Sequence, residues 1–239
     1  MISQKGIWPI DVVTVWFESN DRIRKLFPGH GRVHVYSYDS LALPGFSLYK
    51  EKLTPVIPID GKKAEEVLST FRDTTRNEVR RTFKMPELTF SLEKAGPEHY
   101  AFYVAATRTQ GRVPQRAGLF LDALVSVARS KGLIIAAISF VPARPIAKVL
   151  TISSLRRESV SAEERNLIGF STKRLVYEIC LFGIHNKYEG VDLGYVNLSD
   201  PAKRGISDFK MGFGGAVRTE RQYVKESRLM SVLRRIRPI

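Results

Sequence analysis

The sequence predicts a mixed α/β fold, a β-sheet covered by helices on its faces. Three observations support that class. Over residues 32–38, Val33 and Val35 alternate with polar residues and a tyrosine pair follows, Tyr36 and Tyr38, which is the period of two of a half-buried strand. Over residues 62–83 the period changes: Ala64, Val67, Leu68, Phe71, Val79 and Phe83 recur at the spacing of an amphipathic helix. Residues 133–141 form a dense apolar run, the pattern of a strand buried on both faces. Strands and helices alternate without a strict βαβ series, which makes the sheet mixed.

The N-terminal stretch, residues 6–59, reads as extended segments broken by turns, the first at 11–17 and the second at 32–38. A third is punctuated by Pro44, Pro55 and Pro58 and is restricted to a sheet edge at best, because proline donates no ladder hydrogen bond. The 62–83 helix ends at Pro86. Residues 100–107 read as a strand, and 114–131 as a second helix with Leu119, Phe120, Leu124 and Val127 inward. Residues 147–155 read as another strand.

Ser161-Ala162-Glu163-Glu164 carries capping-box chemistry, yet Gly169 and Ser171-Thr172 favour a loop with one helical turn before a helix at 173–185. Residues 191–194 make a short central strand and 216–224 the last one. A basic amphipathic helix at 227–237 sets Leu229, Val232, Leu233 and Ile236 against Arg228, Arg234, Arg235 and Arg237. It can dock on the sheet or hold anionic lipid peripherally.

The chain has 239 residues, with 38 Lys plus Arg against 24 Asp plus Glu, a net charge of +14. Such a field draws in polyanions: nucleic acid, nucleotide phosphates or anionic headgroups. An apolar fraction of 44% excludes a disordered chain. Cys180 is the only cysteine, so no intramolecular disulfide forms; lying among Ile179, Leu181 and Phe182, it reads as a small buried apolar residue. Histidines 30, 34, 99 and 185 lack ligand spacing, and no metal is expected. The N-terminus has no signal-peptide core and the longest apolar run is too short for a bilayer span, so the expected location is cytoplasmic.

The strongest local signal is Val191-Asp192-Leu193-Gly194, a short loop, and then Gly205-Ile206-Ser207-Asp208-Phe209-Lys210-Met211-Gly212-Phe213-Gly214-Gly215. A strand ending in Asp and Gly leads to a glycine-dense turn, and glycine permits close backbone approach, as to a bound group. Two other stretches precede it. One is Arg72-Asp73-Thr74-Thr75-Arg76-Asn77-Glu78-Val79-Arg80-Arg81, after Pro58-Ile59-Asp60; the other runs from Tyr103 to Arg108. In order and kind, residues 57–223 resemble the FemABX-type branch of the GNAT acyltransferase superfamily.

The resemblance implies a mostly antiparallel sheet with a splayed central strand pair and helices on both faces. It also implies transfer of an acyl or aminoacyl group from a thioester or tRNA ester to an amine on a cell-envelope or polysaccharide precursor. No tightly bound cofactor is implied; acyl-CoA or aminoacyl-tRNA is the co-substrate. The oxyanion of such a reaction needs a preorganised donor, for which Lys210 is the candidate, with Phe209 shaping the pocket. Asp192 either orients the amine, acts as a base, or only caps backbone groups. A plainer alternative places Phe209 in the core and Lys210 in solvent.

Donor phosphates are expected at the start of the helix near Ser171, with Gly169, Ser171, Lys173 and Arg174. The superfamily's coenzyme A loop reads Arg or Gln, two residues, Gly, one residue, Gly or Ala; from Arg165 to Ser171 this chain has one residue too many before its glycine. Acceptor candidates are Arg76, Arg80, Arg81, Arg108, Gly194 and Gly212, with Arg112 and Arg116 nearby. The arginines equally suit a solvated face paired with Asp73 and Glu78. Three portions are expected: residues 1–56, an abbreviated β-rich part; 57–226, the GNAT-like domain; and 227–239, the basic helix. A second subunit, as in a homodimer, would complete an acceptor cleft that FemABX enzymes build from two domains. Expected partners are the phosphate-containing donor, tRNA, and an anionic membrane or lipid-linked precursor. Two other functions fit the charge: a non-catalytic nucleic-acid-binding module and a degenerate GNAT partner subunit.

Overall fold

A computed structural model describes residues 1–5, 12–18, 23–24, 31–120, 122–155 and 161–227. The chain forms two compact units, residues 1–54 with 217–239, and residues 55–216. Residues 217–226 of the last strand belong to the same unit as the N-terminal strands. The basic helix expected at 227–237 lies outside the described residues except for Ser227.

The first unit holds strands β1 (Ile2–Lys5), β2 (Val12–Trp16), β3 (Arg32–Ser37), the first part of β4 (Ser47–Pro58), and β10 (Ala216–Glu226). Their order is β1-β2-β3-β10-β4. β1 runs antiparallel to β2, β2 parallel to β3, and β3 antiparallel to β10. Alternation determines the inner face: Val13, Val15, Val33 and Val35 are buried with Ile23, Leu43 and Tyr223. On the other face of β2 and β3, Trp16 stacks on Tyr36 with centroids 4.1 Å apart.

In the second unit the strand order is β4 (its last residues), β9 (Gly190–Asp192), β8 (Ile146–Ser154), β7 (Leu133–Ala143), β6 (Leu124–Ser130) and β5 (Leu88–Lys94). Only β8 and β9 are parallel there; the other pairings are antiparallel. Helices α1 (Ala64–Thr70), α2 (Asp73–Thr82) and α4 (Ala162–His185) share a core with one face. There Ile57, Ile138, Phe140, Val149, Val191 and Leu193 meet Leu175 and Ile179. On the opposite face, Phe102 of α3 (Pro97–Arg108) packs on Val125, Val127, Ile134 and Ala137. Helices therefore cover both faces, as expected.

Five expectations are corrected. β4 is a twelve-residue strand rather than a marginal edge; the Pro55 carbonyl accepts the Leu193 N–H at 3.0 Å, so proline contributes its acceptor and its missing donor is not required. The 62–83 helix breaks in two because Phe71 turns extended and buries its ring edge-on to Phe213 and Tyr177. Residues 100–107 are helical: Pro97 occupies the first turn, and His99, Tyr103 and Ala106 fall on one buried stripe. Residues 124–130 form a strand instead of a helix, paired along its length with β5, a strand the sequence did not announce.

Finally, residues 162–185 are one helix. Ser161 Oγ accepts the Glu164 N–H and the Glu164 carboxylate accepts the Ser161 N–H, both at 3.1 Å. Thr172 Oγ1 donates to the Ile168 carbonyl within that helix at 2.7 Å, so the hydroxyl that suggested a loop is satisfied by the helix itself.

Candidate active site

Where the β8–β9 ladder ends, two charged side chains are buried together. β8 continues to Ser154, but its parallel pairing with β9 covers only Ile146↔Gly190, Ala147↔Val191 and Lys148↔Asp192. Immediately beyond, β8 bulges: Phe140 faces Val149 while Ser139 faces Thr151, leaving Leu150 as the extra residue. A bulge sharpens twist and re-aims a strand. The parallel ladder thus ends at the Lys148–Asp192 pair, where β9 also ends.

Asp192 is fully buried and Lys148 nearly so. The carboxylate accepts from Lys148 Nζ at 2.8 Å and from the Gly194 N–H at 2.6 Å. Removing either charge would strand the other in a low-dielectric site. Val191 and Leu193 belong to the core shared with α4, so alternation turns Asp192 to the face that carries α3. Sequence reasoning missed Lys148; its signal was a lone cation inside the apolar run Ile146-Ala147-Lys148-Val149-Leu150.

Gly194 adopts a φ of 75°, the left-handed region that glycine enters without strain. A Cβ there would stand 3.4 Å from the Val149 carbonyl and 3.5 Å from Lys210 Nζ. Lys210 Nζ donates to the Tyr195 carbonyl at 2.9 Å. Asp192, Gly194, Lys148 and Lys210 therefore converge where the ladder ends. The loop beyond is knit by Asn197, whose Oδ1 accepts the Ser199 N–H at 3.1 Å and the Asp200 N–H at 3.2 Å. Its backbone N–H is accepted by Ser207 Oγ at 3.2 Å.

The segment expected as a glycine turn is mostly helix, α5 (Arg204–Met211). Phe209 and Lys210 reach different surroundings because successive helical residues point about 100° apart, not because a strand is broken. Phe209 packs edge-on to Phe213 at 5.2 Å and joins the core margin. The glycines serve the protein's own packing. The Gly212 carbonyl accepts the Arg72 N–H at 2.9 Å, and a Cβ on Gly212 would come 2.9 Å from Thr75 Oγ1. On Gly214 it would come 2.0 Å from the Thr70 carbonyl oxygen.

The donor and arginine candidates form a separate group on α2 and α4. Ser171 is buried in mid-helix, so its backbone N–H is committed to the helix and the expected phosphate-binding helix start does not exist there. Lys173 pairs with Glu78. Arg174 pairs with Glu178 and stacks 3.6 Å over the Phe83 ring. Arg76 pairs with Asp73 at 2.5 Å, Arg80 with Glu65 at 3.5 Å, and Arg81 lies over Phe170. Gly169 has open space beside it. Arg108 is exposed at the end of α3.

No protein-family model matches the sequence, and no curated protein matches it. Solved structures do. FemX superposes with a TM-score of 0.63 at 12% identity, over 100% of this chain and 86% of FemX. The fold is FemX-like. The C-terminal domain of a putative lysylphosphatidylglycerol synthetase from Agrobacterium fabrum follows at 0.56 and 14%, over 97% of this chain and 82% of that one. L-PGS from Bacillus licheniformis gives 0.53 and 14%, over 98% and 85%.

Two further features concern the chemistry of isolated groups. Burial pushes the Cys180 thiol well above its usual value, consistent with its reading as a core residue. Glu93, Glu98 and His99 converge on α3's first turn, with Arg129 ion-paired to both glutamates. The Arg129 hydrogen bond, foremost, holds the Glu93 carboxyl down at about 2. Among the described residues no helix is long and apolar enough to cross a membrane.

Proposed function

We propose that this chain moves an acyl or aminoacyl group from a phosphate-containing donor to an amine on a cell-envelope or polysaccharide precursor, with the chemistry at the end of the β8–β9 ladder. One observation carries the reading: in a FemX-like fold, the parallel ladder ends at a buried Lys148–Asp192 pair with Lys210 close by. As the amine attacks the donor carbonyl, a C–N bond forms and the oxygen becomes an alkoxide facing the Lys210 ammonium. A fixed cation in a sheltered site stabilises that charge without reorganising. Collapse breaks the ester or thioester bond, and the amine's proton passes to the leaving group or to water.

Asp192 acts in this reading as an anchor. Its carboxylate is occupied by Lys148 and by the Gly194 N–H, so it orients the loop that holds Lys210. Aminoacyl-tRNA suits the chain better than acyl-CoA. The start of α4 is closed by its capping box and carries Glu163 and Glu164, and acidic groups at a helix N-terminus oppose a phosphate there. A net charge of +14 favours RNA.

The test presents charged tRNA and acyl-CoA separately, with amine-bearing envelope precursors, and follows product by mass spectrometry. Transfer from charged tRNA is expected, and Lys210→Met should lower its rate about 100-fold or more, the usual effect of deleting an oxyanion donor, with an unchanged circular dichroism spectrum. Wild-type transfer by Lys210→Met would remove Lys210 from the site. Salt-sensitive RNA binding with no transfer from either donor would replace the enzyme with a nucleic-acid-binding module.

A further inference from the structure

β5 is the outermost strand of the second unit's sheet. Its inner edge pairs with β6 without interruption, from Leu88↔Ser130 to Lys94↔Leu124. Among the described residues no strand pairs along its outer edge. An antiparallel strand turns half of its N–H and C=O groups to each side, so this edge is a template for another strand. Proteins usually blunt such an edge with a proline, a bulge, a very short strand or a covering segment. β5 has seven residues, no proline and a continuous register, with Thr89, Ser91, Leu92 and Lys94 exposed. Its two charges sit at one end, and Glu93 is already held by Arg129 and His99. Phe90 packs on the core of the α4 face, and alternation places Leu92 on that face too, 42% exposed. Phe83, at the end of α2, is 57% exposed and shares the Arg174 guanidinium with Phe90, at 3.6 and 5.2 Å. An apolar strip therefore runs beside the open edge.

We propose that this edge is filled by β5 of a second copy of the chain, antiparallel, about a two-fold axis at Ser91. Only one register pairs the whole strand with its copy. In it Ser91 meets Ser91, Phe90 meets Leu92, Thr89 meets Glu93 and Leu88 meets Lys94 of the second copy. No like charges are opposed. On the α4 face two Phe90–Leu92 pairs join the exposed strips, with Phe83 beside them. On the other face each Thr89 hydroxyl can donate to a Glu93 carboxylate, and cross-strand pairs of these kinds are the unit of sheet stabilisation. An isologous contact uses each edge once, so assembly stops at the dimer. β6, β7 and β8 separate this edge from β9 and the end of its ladder. The dimer therefore stands independently of the acyl-transfer reading, and its readout needs no turnover.

The full chain is analysed by sedimentation over about a hundredfold range of concentration, because a dimer yields to dilution by mass action. A monomer–dimer equilibrium is expected. Leu92→Lys sets a cation against Phe90 at both symmetry-related pairs. It should raise the dissociation constant about tenfold or more, with an unchanged circular dichroism spectrum. Cross-linking reads the register. Ser91→Cys lies directly opposite its own copy and should be joined to it by mild oxidation. Thr89→Cys, also exposed but opposed to Glu93, should cross-link about tenfold more slowly or less. Cys180, fully buried, takes no part in the folded chain. A monomer throughout the range overturns the proposal and leaves the edge to an extended segment of another protein. A dimer indifferent to Leu92→Lys, or joined as fast through Thr89→Cys as through Ser91→Cys, overturns it too, since its interface would lie elsewhere.

Discussion

The two units bury charge differently. In the first, the described core is an alternating set of valines closed by Ile23, Leu43 and Tyr223, and the Arg221–Glu51 ion pair stands partly in water, with side chains 27% and 47% exposed. In the second, a larger apolar core fills the α4 face of the sheet, and the buried ion pair Lys148–Asp192 lies on the other face, where the β8–β9 ladder ends. A sheet needs no buried charge for stability, since apolar replacements of such pairs are often at least as stable. The first unit buries a carboxylate too, Glu220, but it accepts from the neutral Gln222 side-chain amide at 3.1 Å, whereas in the second unit a buried carboxylate faces a buried ammonium.

That contrast can be broken most directly at the pairs themselves. Asp192→Ala should destabilise the second unit by about 3–5 kcal/mol, because Lys148 is left charged and enclosed. Glu51→Ala should cost about 1 kcal/mol or less. Urea denaturation of both variants measures the difference. Similar costs would erase the distinction between the units.

Acid should separate the units more gently. In the first, burial foremost, then Arg32, pulls His34 from 6.5 to about 4. The unfolded chain takes up that proton below pH 6.5 and the folded chain only near 4, so stability is full above 6.5 and declines as pH falls through that window, by about 1–3 kcal/mol. In the second, Glu93 lies at about 2 against an ordinary 4.5. Its contribution is full above 4.5 and is lost as pH falls towards 2. Trp16 is buried in the first unit, so a change in its fluorescence reports on that unit. It should respond first on acidification, and His34→Gln should flatten the response between pH 6.5 and 4.

The smallest effects are expected on α2. Arg76→Ala and Arg80→Ala each remove an ion pair to an exposed acid, Asp73 or Glu65, and should change stability by about 0.5 kcal/mol or less. A melting curve for each suffices. A much larger loss would show the arginine face to be structural.

Strands with a pure local pattern were legible in the sequence: β3 through alternation, and β7 through its dense apolar run. Elements whose pattern serves two periods were not. Residues 100–107 are rich in aromatic and β-branched side chains, yet His99, Tyr103 and Ala106 define a helical stripe that appears only when the window begins at Pro97. Residues 124–130 carry apolar spacing compatible with a helix and become a strand because β5 and β7 flank them. Of the site, Asp192, Gly194 and Lys210 could be named from the chain, and Lys148 could not, because its partner lies 44 residues away.

The sequence by itself determined the α/β class, the buried cysteine, the strand ending at Asp192 and the basic character, since each follows from local pattern or composition. Only the tertiary structure decided what the glycines and charges face. Gly212 and Gly214 meet the chain's own backbone and side chains, and most of the arginine stripe meets acids or an aromatic ring. Lys148 and Asp192 meet each other, because strand register, which sums constraints across the whole sheet, is what brings distant residues into contact.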